Sequence, residues 1–374
     1  MIRVMQFADI LNRHDFIDVI VQRADRKRFQ IFLALRTFES DIAQPVFPPD
    51  VPVHLLAGTE RRWALWTAFR LANLLRRYKI DILHTHHYDE AFIGRVATML
   101  HPKTKLIVGR HYADVGMYAK PGLKLSGLLA VERFAYRGAK RVIVPTNVIR
   151  ENVLSRGLEE SKVVVVPYGF FPEKYAPFEN GDGGALRSEL GWDGRVIFGA
   201  FSRLNPGKGV HVLLEALAEA RKQTPQASVV VCGEGPERNR LEKMIMYLHL
   251  QDHVRLLGWR KDAMQIMSGV DVVVGPTFHE AFSQVMGEAC FLGKPLIFTC
   301  VSGAADVIHD GKNGILIPIK ESAPLAAAIV MLAKDENLRK SMGAAGREVA
   351  RTQLHVDHVI SQFESVYEEV VAQP

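Results

Sequence analysis

VDVVVGPTFHEAFSQVMGEACFLGKPLIF, residues 270–298, reads in order as a strand, a turn, a helix and a second strand. VDVVVG is an apolar, β-branched run, the pattern of a strand buried on both faces. Gln284 to Leu292 has helical character, and Ser283 stands where an N-cap is wanted. Pro295 to Phe298 starts the next strand. Two carboxylates straddle the turn: Glu280 at the carboxyl end of the first strand, and Glu288 inside the helix, pointing into the same crevice. The backbone N–H groups of Ser283–Met286 are left without helical partners and suit a phosphate. An anion cradle beside two carboxylates that can hold hydroxyls is what a nucleotide-sugar requires.

The same alternation runs outward along the chain. Strands are expected at Arg3–Phe7, Gln30–Leu35, Ile82–Thr85, Leu106–Val108, Arg141–Pro145 and Val163–Val166, with helices at 62–77, 90–100 and 148–156 between them. A second series follows at Val196–Phe201, Ser228–Cys232, Val254–Leu257, Val270–Val274, Pro295–Phe298 and Gly314–Ile317. Strands alternating with helices imply parallel sheets covered on both faces, so the fold class is α/β with two Rossmann-like domains. The boundary falls in YGFFPEKYAPFENGDGGALR, 168–187, which is rich in Pro and Gly and has no periodicity. The expected domains are 1–172 and 173–354, with a helix over 355–374 that crosses back to the first.

The chain of 374 residues has a net charge of +6, and the charge is uneven. Residues 1–178 hold 27 basic against 17 acidic side chains, while residues 179–374 hold 20 against 24. A basic first half fits an anionic partner such as a phospholipid surface, a lipid phosphate or an acidic glycan, or else a solvated surface. The basic residues are scattered without a recognisable nucleic-acid motif, so no nucleic-acid partner is expected. Cys232, Cys290 and Cys300 lack metal or disulfide spacing and read as small core residues of a reducing compartment. No apolar run is long enough to span a bilayer and the chain starts without a signal peptide, so a cytoplasmic location is expected.

Three segments should meet at the carboxyl ends of the second sheet. In SRLNPGKG, 202–209, Arg203 and Lys208 flank a Pro-Gly turn and can reach one diphosphate, the first as a fork and the second as a point charge. Gly207 and Gly209 allow close backbone approach. GEGP, 233–236, looks like the start of a dinucleotide fingerprint, but Arg238 stands where its last Gly belongs. Gly233, Gly235 and Pro236 read better as a turn approaching a nucleoside. Residues 280–288 complete the set. His84, His86 and His87 raise the thought of a metal, yet they leave one strand end on alternating sides, and no metal site is expected.

These segments, in this order, resemble the family 4 glycosyltransferases of the GT-B fold. DILHTHHYDEAFIGR (81–95) is similar to the family's "D-hydrophobic-hydrophobic-H-x-H" strand end, and VVVVPYGF (163–170) to its "V-I-P-N-G" strand. SRLNPGKG resembles its "G-R-L-x-x-x-K-G" phosphate motif. VSGAADVIHDGKNGILIP (301–318) resembles its closing "G-G-x-x-E-hydrophobic-I-x-D-G-x-N-G" segment. The resemblance implies two domains facing across a cleft and retaining transfer from a nucleoside-diphosphate sugar, UDP- or GDP-linked, without metal or cofactor. It implies that Arg203 and Lys208 neutralise the diphosphate, that Glu280 holds sugar hydroxyls and that Glu288 grips the ribose. It further implies that the backbone of Phe282, Ser283, Gln284 and Val285 meets phosphate or sugar. His111, in VGRHYAD, matches a first-domain His that faces the donor sugar, and a satisfied loop histidine is the other reading. Domain closure would assemble such a site and exclude water.

The acceptor side departs from the family. The usual Gly-Gly pair after the first strand is replaced by ADILNRHDF, 8–16, without glycine, so Asn12, Arg13 and His14 occupy that region and, with His86, are the acceptor-side candidates. Smaller departures are Ser202, Ala281, Ser283, Ala304 and Asp306. The acceptor is read as a glycan, a lipid-linked molecule or a small molecule. RRWALWTAFRLANLLRRYK, 61–79, carries Trp63 and Trp66 on an apolar side with basic ends, and reads as a core helix or as a contact with an anionic membrane. The alternatives to a transferase are a GT-B nucleotide-sugar epimerase and a non-catalytic module that binds a sugar nucleotide.

Overall fold

The computed structural model describes residues 1–10, 15–37, 47–56, 63–112, 114, 122–179, 181, 183–301 and 303–373. The chain divides into two compact units, one of Met1–Phe170 with Val356–Pro374 and one of Phe171–His355.

In the first unit the described strands are β1 (Ile2–Ile10), β2 (Phe29–Thr37), β3 (Val53–Leu55), β4 (Ile82–His86), β5 (Lys105–Gly109), β6 (Arg141–Val144) and β7 (Val163–Val165). They form one sheet in the order β3-β2-β1-β4-β5-β6-β7, every pair parallel. Its helices are α1 (Asp15–Arg23), α2 (Ala64–Tyr78), α3 (Tyr88–Leu100), α4 (Leu123–Gly138) and α5 (Asn147–Ser155). In the second unit β8 (Val196–Phe201), β9 (Ala227–Cys232), β10 (Val254–Gly258), β11 (Val272–Gly275), β12 (Leu296–Thr299) and β13 (Gly314–Ile317) run in the order β10-β9-β8-β11-β12-β13, also parallel. Helices α6 (Gly184–Leu190), α7 (Val210–Ala220), α8 (Arg238–Tyr247), α9 (Ala263–Gly269), α10 (Gln284–Phe291), α11 (Ala304–Val307), α12 (Ser322–Lys334) and α13 (Glu336–Val349) belong to this unit.

The strands are apolar because both faces are covered: Val229, Val230 and Val231 of β9 and Val272 and Val273 of β11 are all fully buried. Each sheet reverses its strand order once, between β1 and β4 and between β8 and β11. At such a switch point the loops leaving the two strands diverge and open a crevice at the carboxyl ends.

The last helix, α14 (Val356–Ala372), packs on the first unit. Tyr367 is buried against the sheet, the Phe170 carbonyl accepts from the Val356 N–H at 3.0 Å, and Arg28 pairs with Glu364 at 3.0 Å. The segment read as the domain boundary holds two single-turn helices, Pro172–Lys174 and Ala176–Phe178, before α6 begins at Gly184. Cys232 and Cys290 are buried, and burial pushes their thiols up to about 11 and about 12; Cys300, expected in the core, is exposed instead.

Candidate active site

The switch point of the second sheet holds a cavity of about 540 Å³. Its floor is the end of β8 and β11 with Phe298 of β12, and its walls are the two loops that leave those strands. After β8 the chain turns through Ser202 and Arg203, makes a single turn at Pro206–Lys208, and enters α7 at Gly209. After β11 it runs through Pro276–Phe282 into α10. The loops are laced together: Phe278 N–H donates to the Gly207 carbonyl at 2.8 Å and the Thr277 hydroxyl to the same oxygen at 3.2 Å. Below them the Thr299 hydroxyl donates to the Thr277 carbonyl.

This lacing places Lys208 Nζ in a salt bridge with Glu280 Oε2, each side chain about a quarter exposed. Arg203, Asn205, Phe282, Ser283, Gln284 and Val285 line the same cavity. Ser283 occupies the N-cap position of α10, but its side chain makes no capping hydrogen bond. Gly209 is conformationally required: its φ is +67°, and a Cβ there would lie 1.9 Å from the Pro276 carbonyl oxygen.

Not every expected site residue lines this cavity. Gly233, Gly235, Pro236 and Glu288 are not among the residues lining this cavity. The two glycines serve a packing purpose, since a Cβ on Gly233 would meet the Ser202 carbonyl oxygen at 1.8 Å and one on Gly235 the Leu204 carbonyl oxygen at 2.4 Å. They let the β9 loop lie backbone to backbone on the arginine loop, where Leu204 N–H donates to the Glu234 carbonyl at 2.8 Å and Glu237 N–H to the Leu204 carbonyl at 3.0 Å. Glu288 sits one helical turn beyond Gln284 on α10 and is half-buried. Asn205, Thr277 and Phe298 are cavity residues that the sequence reading passed over.

In the first unit the switch point carries a chain of aromatic and polar groups. His111 Nε2 lies 3.1 Å from His86 Nδ1, His86 Nε2 2.8 Å from Gln6 Oε1, and Gln6 Nε2 3.1 Å from the Tyr367 hydroxyl. Tyr367 in turn lies 2.9 Å from His84 Nδ1, and Tyr168 OH 3.2 Å from His111 Nδ1. An amide oxygen only accepts, so His86 Nε2 carries a proton; with both rings neutral, His86 Nδ1 accepts from His111 Nε2–H and His111 Nδ1 accepts from Tyr168. Both ring nitrogens of His111 therefore have protein partners, and its ring stacks on Phe16 at 3.6 Å. His86, expected as an acceptor-side group, is fully buried inside this chain. Gly109 makes room for it, because a Cβ there would crowd His111, His86 and His84 at 2.8, 3.1 and 3.2 Å. Asn12, Arg13 and His14 lie outside the described residues.

Burial holds the His84 imidazole neutral, its pKa lowered from 6.5 to about 3. As pH falls below the ordinary 6.5, the unfolded chain takes up a proton that the folded chain refuses. Stability is full above that value and declines by up to about 1.4 kcal/mol per pH unit below it. Urea unfolding of His84→Gln beside the parent, from neutral pH down to about pH 5, should show this part of the slope removed. Parallel slopes in the two proteins would contradict it.

Two parallel-sheet units, each with polar side chains gathered at a switch point, have the architecture of the GT-B fold, and comparison with known proteins shows which family has it here. A model of glycosyl transferases group 1 matches residues 185–349 and one of Glycosyltransferase Family 4 matches residues 16–174. The chain belongs to the family 4 glycosyltransferases. N-acetyl-alpha-D-glucosaminyl L-malate synthase of Bacillus anthracis is 25% identical over 307 residues, 81% of this chain and 78% of that protein. Alpha-maltose-1-phosphate synthase of Mycolicibacterium smegmatis is 25% identical over 312 residues, 78% of this chain and 79% of that protein. Among solved structures, Anabaena HepE in complex with UDP superposes over 99% of this chain and 100% of its own with a TM-score of 0.83 and 21% identity.

Proposed function

We propose that the chain moves a sugar, with retention of configuration and without a metal ion, from a nucleoside-diphosphate sugar to a glycan, lipid-linked or small-molecule acceptor held by the first unit. The observation that carries this reading is the Lys208–Glu280 pair at the switch point, in one cavity with Arg203 and the first turn of α10. As the glycosidic bond breaks, negative charge gathers on the leaving diphosphate. Lys208, Arg203 and the α10 N-terminus stand where that charge develops, and fixed cations there stabilise the transition state. Glu280, freed from Lys208 by the diphosphate, accepts from sugar hydroxyls. No side-chain nucleophile is invoked: the departing phosphate oxygen takes the acceptor's proton on the face where the acceptor attacks. The UDP bound by HepE supports a nucleoside diphosphate as leaving group. Among the described residues no helix is long and apolar enough to cross a membrane, and we place the reaction on the cytoplasmic side with peripheral contact through 61–79.

Transfer, followed by release of nucleoside diphosphate and by NMR of the anomeric proton, should persist in excess EDTA and keep the donor's anomeric configuration. Inversion, or full loss of activity on chelation, would overturn the mechanism. Isomerised sugar formed from donor alone would replace the transferase with an epimerase.

A further inference from the structure

The first unit has a second cavity that the donor chemistry leaves unused. It encloses about 370 Å³, within the roughly 300–1,000 Å³ range of small-molecule sites. One wall is a stripe of α4, Lys124, Gly127, Leu128 and Val131, at helical i, i+3, i+4 and i+7 spacing. The opposite wall is Tyr88, Asp89, Phe92 and Ile93 of α3, with Ala64 of α2 at one side and Arg36 from the carboxyl end of β2. The walls are fixed: the Tyr88 hydroxyl donates to the Leu128 carbonyl at 2.6 Å, tying α3 to α4. Arg36 is buried with its charge met by Glu90, Nη1 to Oε1 at 2.9 Å, which leaves Lys124 and Asp89 as the other charged side chains on the wall.

The surface beside this cavity is unusual in a second, independent way. The first turns of α2 are apolar on both faces. Ala68, Leu71, Ala72 and Leu75 are buried in the unit, while Trp63, Leu65, Trp66 and Phe69 stand 46%, 67%, 48% and 57% exposed. Leu123, next to Lys124 of the cavity wall, is 93% exposed. Beyond the exposed aromatics α2 turns basic with Arg70, Arg76 and Arg77, then Lys79, and it has no acidic residue. Arg70 lies over the Trp66 ring at 4.7 Å. Aromatic side chains followed by cations on one helix face are what the boundary of an anionic bilayer takes up. A protein partner would also bury the tryptophans, but it would need acids to meet these cations. Ala64 joins this face to the cavity, so a lipid leaving the bilayer has a short path into it.

We propose that this cavity takes the hydrocarbon chain of one anionic membrane lipid while α2 rests on the bilayer surface. The chain lies between α3 and α4 along Tyr88, Phe92 and Leu128. The headgroup stays at the mouth beside Lys124 and Arg70. Arg76 and Arg77, about 18 Å further along α2 from Ala64, meet neighbouring headgroups. The inference rests on the transferase reading only in naming that lipid as the acceptor; lipid capture itself needs no donor.

Gly127 provides the test, because a Cβ at that position meets nothing within 4 Å. Gly127→Phe fills the cavity from an open position, and Gly127→Leu does so more gently should the first fold poorly. The probe is dodecyl phosphate below its micelle concentration, titrated calorimetrically, with inorganic phosphate as the headgroup alone. Dodecyl phosphate should bind the parent, and both variants should weaken it about tenfold for every two methylenes they displace. In parallel the parent should float with vesicles of phosphatidylcholine and phosphatidylglycerol but not with phosphatidylcholine alone, and Trp66→Ser with Phe69→Ser should abolish flotation. Equal dodecyl phosphate binding by parent and plugged variants, or binding of inorganic phosphate as tight as that of the lipid, would overturn the cavity assignment. Flotation indifferent to the α2 substitutions would overturn the membrane face. A protein that captures lipid but transfers no sugar would leave this inference standing and remove the transferase reading alone.

Discussion

Lys208→Ala is expected to lower the transfer rate by roughly two to three orders of magnitude, the usual cost of deleting one preorganised group from charge developing in a transition state. The loss should exceed that of a lone cation because of the Glu280 carboxylate. In the parent the two are ion-paired at the cavity wall, and in the proposed reaction a diphosphate competes with Glu280 for the ammonium. Without Lys208 the carboxylate faces the diphosphate unopposed and repels it, so donor affinity and turnover should fall together. The melting temperature should barely move, since a partly exposed ion pair contributes at most about 1 kcal/mol. Glu280→Gln should behave differently, keeping a hydroxyl acceptor and removing the repulsion, so that diphosphate binding is retained while turnover falls. Steady-state kinetics with the calorimetric affinity for the nucleoside diphosphate separate these outcomes. Wild-type kinetics in Lys208→Ala would remove the pair from the reaction.

Gly209→Val should destabilise the second unit by about 3 kcal/mol or more, whereas Gly207→Ala, two residues earlier in the same loop, should be nearly silent. At 209 the backbone is left-handed, and any side chain collides with the Pro276 carbonyl 1.9 Å away and the Phe278 ring 3.0 Å away. At 207 a new methyl would meet only Asn205 Oδ1, at an ordinary 3.5 Å. The clash at 209 would part the two loops at the point where Thr277 and Phe278 bond to the Gly207 carbonyl, separating Lys208 from Glu280. Urea unfolding of the two variants measures the contrast. Similar stability for both would contradict the packing described for this loop.

Those two glycines illustrate what the sequence reveals and what it hides. A run such as VDVVVG is legible because burial on both faces leaves little room for polar residues, and parallel pairing then follows from alternation with helices. Strand β3, three residues of partly exposed edge, has no such constraint and was not anticipated. Helix α4 went unread too, its LKLSGLLAVERFAYRG mixing Leu123 on the surface with buried Glu132. The gathering of Arg203, Lys208 and Glu280 in one cavity was legible because charge at the carboxyl end of a buried strand has few structural uses. Gly233 and Gly235 were read as approaching a nucleoside, but a glycine shows only that something comes close, and one such neighbour here is the protein's own arginine loop. The partners of the histidine chain were hidden for a similar reason: His84 meets Tyr367 across 283 residues of sequence, from a helix that packs back on the first unit.

Hydrogen–deuterium exchange with and without a nucleoside-diphosphate sugar tests the central claim, that the donor's diphosphate lies between the loops of β8 and β11. With UDP-glucose or GDP-mannose, whichever binds, protection should concentrate in residues 202–209 and 276–288 and should vanish in Lys208→Ala. Binding accompanied by protection elsewhere, with these two loops unchanged, would contradict it.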